Sequence, residues 1–228
     1  MKIAMLLSGG VDSSVALRLL LDQGHDVTAF YIKVWLEEEF AGLGDCPWEE
    51  DVGYARAVCE QLDVPLKIIP LQAEYFERIV SYAVAELKAG RTPSPDVYCN
   101  RRIKFGAFLE TIGDDYERVA TGHYARVEER GGRAHLMRAP DPIKDQTYFL
   151  CMLLQDQVKR IIFPLGDFVK SEVRDMAQTF DLPTKSRKDS QGICFLGKVR
   201  YRDFVRANLG EQPGPLINAE TGLTIGKH

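Results

Sequence analysis

The string Ser8-Gly9-Gly10-Val11-Asp12-Ser13-Ser14 constrains this chain more than any other stretch. An apolar run, residues 3–7, leads into it, and an apolar helical pattern, residues 15–21, leads out. Strand, glycine turn and helix N-terminus, in that order, build an anion site. Glycines let backbone N–H groups approach a phosphate closely, and the helix dipole favours negative charge at that end. Ser8, Ser13 and Ser14 add hydroxyl donors. A Gly-Gly pair alone would mark only a tight strand-to-helix turn. The full string has neither the lysine of GxxxxGK[ST] nor the spacing of GxGxxG.

The periodicity beyond the loop alternates strand and helix. Residues 26–34 and 64–71 read as apolar strands. Between them lie an acidic loop, residues 37–48, and a helical stripe of Val52, Ala55, Val58 or Cys59, and Leu62. Residues 75–87 line one face of a long helix. Pro93 and Pro95 then break the pattern, so the next helix is expected over residues 100–111, with Cys99 at its start. A strand at 118–121 runs into Gly122-His123-Tyr124, and a hairpin follows at 125–129 and 134–138. Helices are expected at 145–154, 155–162, 170–180 and 201–209, and a loop at 186–197. Such alternation predicts an α/β fold: a Rossmann-like, mostly parallel sheet with helices on both faces.

Length and composition set the frame. At 228 residues, 45% hydrophobic and 27% charged, the chain suits one large domain, or one domain and part of another. No apolar run is long enough to span a membrane. Residues 1–7 already read as a strand, so no targeting peptide is expected there. The net charge of −4 argues against nucleic acid, but its distribution does not. Residues 37–51 carry acid without Lys or Arg, whereas residues 88–104 and 185–206 are basic. Two basic segments on an acidic protein are either solvated surface or one face for a phosphate backbone.

The five cysteines fall in different settings. No CxxC pair occurs, so neither zinc nor an iron–sulfur cluster is indicated, and an odd, widely spaced set suits a reducing compartment. Cys59 and Cys151 sit in apolar stretches and are expected in the core. Cys46 lies in the acidic loop and is expected to be inert. Cys99 follows a proline-rich loop and has Arg101, Arg102 and Lys104 nearby; a helix start and cationic neighbours both favour a thiolate. Asp96, three residues earlier, is placed either to move a proton or to cap a helix. Cys194 lies in a polar loop among basic residues, as a reactive thiol or as a plug in an apolar patch. Two reactive cysteines on separate loops suggest persulfide or disulfide chemistry.

SGGVDSS resembles the signature of the PP-loop ATP pyrophosphatases, which cleave ATP between its α- and β-phosphates and adenylate a substrate. The chain as a whole resembles the tRNA-specific 2-thiouridylases of the MnmA type. AGRTPSPDVYCN at 89–100, IKFGAFL at 103–109, ATGHYARV at 120–127, KDQTYFL at 144–150, FPLG at 163–166 and KDSQGICFLG at 188–197 carry the likeness. They span nearly the whole chain, in family order.

The resemblance implies ATP-dependent 2-thiolation of a tRNA wobble uridine. Its implied cofactors are ATP and the Mg2+ that comes with it. Its partners are a tRNA with a wobble uridine and an upstream sulfur relay or cysteine desulfurase as persulfide donor. It assigns Cys194 as the persulfide carrier, Cys99 as nucleophile and Asp96 as the acid/base group. Leu6, Leu7, Ser8, Gly9, Gly10, Val11, Asp12 and Ser13 would hold ATP, with Ile32 at the adenine and Gly122 lining the pocket. Ser94, Pro95 and Asp96 would meet the target base, and His123, Lys144, Asp145 and Gln146 would contact tRNA. His123 by itself reads equally as a structural histidine; its place at a strand end in a parallel sheet favours the site.

The same resemblance implies a catalytic domain over 1–197 and the start of a linker domain over 198–228, without the family's C-terminal β-barrel. A monomer in the cytoplasm is expected. The wording around RIKFGAF and SRKDSQGICFLGK is reminiscent of plant and algal organellar members, which makes chloroplast or mitochondrion the alternative. Two other functions compete: another PP-loop adenylating ligase or amidotransferase, and a non-catalytic tRNA-binding fragment. Neither needs Cys99 and Cys194 in these contexts.

Overall fold

The computed structural model describes residues 1–34, 48–189, 201–211 and 213–228. Strand β1 (Lys2–Leu6) leads through the glycine turn into helix α1 (Val11–Asp22). Strand β2 (Asp26–Lys33), helix α2 (Trp48–Leu62) and strand β3 (Leu66–Pro70) follow. The next helix runs as α3 (Gln72–Tyr75), a π-helical turn (Phe76–Val80) and α4 (Ser81–Lys88). Another runs as α5 (Pro95–Cys99), a π-helical segment (Asn100–Ala107) and α6 (Phe108–Ile112). Strand β4 (Arg118–Ala120) and the hairpin of β5 (Ala125–Arg130) and β6 (Arg133–Arg138) come next. Helix α7 (Gln155–Lys159), strand β7 (Ile161–Ile162) and helix α8 (Lys170–Thr179) complete the layer structure. Helix α9 (Tyr201–Leu209) and a small antiparallel hairpin, β8 (Pro215–Ile217) with β9 (Thr224–Lys227), lie beyond.

The main sheet has the order β3-β2-β1-β4-β7, and every pairing in it is parallel. Alternate side chains of β1 and its continuation divide the core. Ile3, Met5 and Leu7 pack with Val15, Leu17 and Leu20 of α1, Val52 and Val58 of α2, and Val173 of α8. Ala4 and Leu6 face the other way, against Phe30, Tyr75, Ile79, Ile103 and Phe108. Burial on both faces makes the central strand β1 apolar from Ile3 to Leu6, as a doubly covered parallel sheet requires, whereas the edge strand β3 has no buried residue. Each large side chain so buried contributes about 1.5–3 kcal/mol. The α/β class read from the sequence is the fold observed. Because β2 and β4 flank β1 on opposite sides, the chain direction reverses there. The carboxyl ends of β1 and β4 at this reversal are the place where α/β sheets bind ligands.

Four local expectations are corrected. Residues 145–154 form no long helix; only Thr147–Leu150 make a 3-10 turn, since Asp145 and Gln146 bond to neighbouring loops instead. The stretch 155–162 ends as strand β7, where β-branched Ile161 and Ile162 pair with Val119 and Ala120. The helix bearing Cys99 begins at Pro95, which needs no N–H partner in a first turn. Cys99 therefore lies in the second turn, not at a helix start. Cys151, expected in the core, is exposed just after the 3-10 turn, whereas Cys59 is buried as expected. Cys46 and Cys194, with the rest of the loops at 35–47 and 190–200, lie outside the described residues.

Candidate functional site

The phosphate loop is held from within and from behind. Ser13 Oγ donates to the Gly10 carbonyl at 3.1 Å and accepts from the Ser8 N–H at 3.3 Å. Ser14 Oγ donates to the same carbonyl at 2.8 Å. Gly9 has φ +74°, and a Cβ there would lie 2.3 Å from the Asp51 carbonyl oxygen. Gly122, just after β4, lies so close to α1 that a Cβ would fall 2.7 Å from the Ser13 nitrogen. Both positions need glycine because backbone meets backbone there. This contact places Gly122 beside the loop after β1. Leu6, Leu7, Val11 and Ser13 are buried; Gly10, Asp12 and Ile32 are half-buried.

Asp12 is the charged residue of the loop, in the first turn of α1. Its Oδ1 receives the Tyr124 hydroxyl at 2.9 Å and the Lys170 Nζ at 2.6 Å. Among the described residues, no hydrogen bond reaches Oδ2. Burial, and then the Asp12 carboxylate, push the Tyr124 phenol far above its ordinary range, so it stays a donor. Lys170 also meets Asp189 Oδ1 at 2.9 Å. Asp189 takes Lys144 Nζ on Oδ2 at 2.7 Å and Arg174 Nη2 on Oδ1. Burial works to raise the Asp189 pKa. Hydrogen bonds from Lys144 and Lys170, and their charges, outweigh it and hold the carboxyl well below the usual range.

Two more acids fix this corner. Asp141 accepts the backbone N–H groups of Lys170, Ile143 and Lys144 at 2.8 to 2.9 Å, and the first and last of these chiefly lower its pKa. Arg187 donates to the Gly9 carbonyl and to Asp51 Oδ1, each at 2.7 Å, with its guanidinium 4.3 Å from the Tyr54 ring centre. Burial raises the Asp51 pKa against the opposing effect of Arg187.

The residues expected at the base and tRNA are placed in several ways. Lys144 reaches the phosphate-loop corner through Asp189. Asp145 turns inward, accepting from Ala139 N–H, Arg138 Nε and the Thr147 hydroxyl. Gln146 exchanges backbone and side-chain bonds with Tyr124, at 3.0 and 3.1 Å. His123 Nδ1 bonds the Thr121 hydroxyl at 2.8 Å, and its ring packs by Phe105 and Phe163. Burial, then the nearby Lys104 charge, hold His123 neutral, with its pKa well below the usual value.

Ser94 is exposed, Pro95 buried and Asp96 half-buried, on the opposite face of the sheet from α1. Cys99 packs in the same apolar cluster as Leu6, Ile103 and Phe105, with 4% of its surface exposed. The helix dipole is strongest over the first turn, which ends before Cys99. Asn100 Nδ2 bonds the carbonyls of Asp96 and Phe149 at 3.2 and 3.1 Å, joining the Cys99 helix to the 144–150 segment. Whether Cys99 meets Cys194 falls outside the described residues. Within the basic segments, Arg91 pairs with Glu86, Lys185 with Asp181 and Arg206 with Glu211, so their charge is partly neutralised.

Sequence reasoning missed Tyr124, Lys170, Arg174 and Arg187 as parts of the loop's surroundings. Tyr124 and Arg187 lie in or beside quoted motifs, which was a usable signal. Lys170 and Arg174 look like ordinary charges on an amphipathic helix. Among the described residues, no group of three or more His, Cys, Asp or Glu could hold a metal. Asp12, one of whose carboxylate oxygens accepts no hydrogen bond among the described residues, is the acid that fits a cation arriving with a polyphosphate.

Comparison with known proteins identifies the family. The family described as the tRNA methyl transferase HUP domain matches residues 1–198. A tRNA-specific 2-thiouridylase MnmA of Parabacteroides distasonis is 46% identical over 228 residues, covering 100% of this chain and 63% of that protein. Another MnmA, of Akkermansia muciniphila, is 48% identical over 229 residues, covering 100% and 63%. The chain thus spans just under two thirds of the length of these relatives. A 4-thiouridine synthetase solved as an RNA complex with bound ATP superposes with a TM-score of 0.51 at 18% identity, over 85% of this chain and 44% of that one. At that identity it speaks for the shared fold alone. The phosphate loop at the sheet's reversal point and the match over 198 residues lead to one conclusion: the chain belongs to the tRNA methyl transferase HUP domain family.

Proposed function

We propose that this chain carries the ATP-dependent step of 2-thiolation at the wobble uridine of tRNA, as an MnmA-type sulfurtransferase. The observation that carries the reading is the alignment of the whole chain with named 2-thiouridylases; the glycine loop at residues 8–14, between β1 and α1, supports it as the place for ATP. The uracil C2 oxygen is a poor leaving group, so it must be activated. Its attack on the α-phosphorus forms a C–O–P bond and expels pyrophosphate. Ser8, Ser13 and the loop N–H groups suit the phosphates. Mg2+ bound to the phosphates would offset their charge, with Asp12 as its protein contact.

The sulfur half of the reaction uses Cys194 and Cys99. A donor loads Cys194 as a persulfide. Cys99 attacks the Cys194 sulfur and expels hydrosulfide, which adds to C2 as AMP leaves. The Cys99–Cys194 disulfide that remains needs a thiol reductant for the next turnover. Asp96 would take and return the proton. The buried position of Cys99 requires its helix or the 144–150 segment to shift before attack. Flipping the uridine out of a partly unstacked anticodon loop costs a few kcal/mol.

The test is mass spectrometry of the wobble nucleoside after incubation of unmodified tRNA with ATP and a persulfide donor. A sulfur-for-oxygen mass gain is expected, lost in both Cys99→Ser and Cys194→Ser. Gain of sulfur in both variants sinks the reading. Pyrophosphate release that needs no tRNA, in either variant or the parent, favours another adenylating ligase.

A further inference from the structure

Lys144, Lys170 and Arg174 come from a loop and from two successive turns at the start of α8, yet converge on one carboxylate. Lys170 Nζ also sits 2.6 Å from Asp12, so the group adjoins the phosphate loop. Three cations here face three carboxylates, Asp12, Asp141 and Asp189, so the corner where the loop turns into α1 becomes net positive only when Asp189 leaves it. The Lys170 side chain is 14% exposed, and those of Arg174 and Lys144 are 31% and 36% exposed. The cradle is therefore partly desolvated yet open to an anion. Asp141 fixes its geometry by binding the N–H groups of both Lys144 and Lys170.

We infer that Lys144, Lys170 and Arg174 form a subsite for the terminal phosphates of ATP and for pyrophosphate, and that Asp189 is a built-in competitor occupying it. A carboxylate offers two oxygens and one charge. A terminal phosphate offers three oxygens and more charge, and the loop's own donors hold the rest of the chain of phosphates. Polyphosphate therefore displaces Asp189, while Asp189 keeps the three cations from repelling one another. This assigns Lys144 to the nucleotide, where the resemblance assigns it to tRNA. The inference rests on the reading that the loop holds ATP. It does not depend on thiolation.

Calorimetric titration of the 228-residue chain with inorganic pyrophosphate, and separately with ATP, tests it. Removing the competitor in Asp189→Asn raises the fraction of open sites, so pyrophosphate binds about tenfold tighter. Lys170→Gln weakens binding at least as much, and adding Asp189→Asn to it restores little. A purely structural ion cluster gives the opposite sign: Asp189→Asn leaves pyrophosphate affinity unchanged or weaker, which overturns the inference. Because variants can misfold, NMR of the lysine side-chain amines in the unaltered chain provides a second reading. Pyrophosphate is expected to shift the Lys144 and Lys170 signals, and no shift also overturns it. If ATP fails to bind the unaltered chain, the nucleotide reading and this inference both fall. If ATP binds and Asp189→Asn gains nothing, the inference alone falls.

Discussion

The phosphate-loop corner and the Cys99 helix are stabilised by opposite means. At the loop, nearly every polar group is assigned: serines bond the Gly10 carbonyl, Arg187 bonds the Gly9 carbonyl, and Asp12, Asp141 and Asp189 each take two or more donors. Around Cys99 the neighbours are apolar, and the helix departs from α geometry for eight residues. There Gln157 Nε2 donates to the Arg101 and Phe105 carbonyls at 2.9 and 2.5 Å, while its Oε1 accepts the Leu154 N–H. A Cβ on Gly106 would sit 2.8 Å from the Arg101 oxygen. Under the proposed function the difference has a reason: a site that receives a fixed polyanion can be pre-built, whereas a thiol that must change partners gains from a segment with cheaper alternatives, and π-helical turns recur at such places.

The contrast can be broken at its rigid end first. Gly9→Ala adds a Cβ against Asp51 at positive φ and is expected to cost about 2–4 kcal/mol in urea unfolding, with loss of ATP binding. Gly24→Ala, at φ +76° with nothing within 4 Å, is the control and should cost only about 1–2 kcal/mol. Equal costs would show that the loop is not tightly enclosed. At the other end, Gln157→Leu removes three hydrogen bonds and should cost about 1–3 kcal/mol. Amide exchange over residues 100–107 should quicken while that of α1 does not. Uniform quickening would mean that the two regions open as one unit.

The smallest effect concerns pH. An unfolded histidine titrates near 6.5, whereas folded His123 gains a proton only well below that. Between the two values the unfolded chain binds more protons, so stability falls as pH drops below about 6.5, by up to about 1.4 kcal/mol per unit. Asp141, Asp145 and Asp189 have depressed folded values. Their contribution is fully present above about pH 4 and is lost only as pH falls further, so they do not tilt this window. Urea titrations at pH 5.5 and 7.5 should show the slope in the parent and its loss in His123→Gln. An unchanged slope places the titrating group elsewhere.

Much of the fold was legible because its signals are local. The apolar runs at 3–7 and 26–34, the stripes of α1, α2 and α8, and the Gly131-Gly132 turn all show within a dozen residues. Legibility failed where two local signals competed. Pro95 reads as a helix breaker, yet a first-turn proline loses no hydrogen bond, so the helix starts there and carries Cys99 one turn in. Ile161 and Ile162 continue an apolar stripe, yet an open edge beside β4 pairs them as a strand. Cys151 sits in an apolar string, but the string is one short turn whose outer side faces water.

The sequence by itself determined that a glycine turn at residues 8–14 joins a strand to a helix and that a parallel sheet carries it, since glycine spacing and hydrophobic period act over neighbours. Only the tertiary structure decided which charges meet there. Lys170 reaches Asp12 across 158 residues, and Arg187 reaches the Gly9 carbonyl across 178. Charge pairing has no sequence period, because any cation that the fold brings within a few ångströms can serve. The loop's sequence raised the expectation of an anion; the fold showed that a carboxylate of the chain sits among the cations beside it.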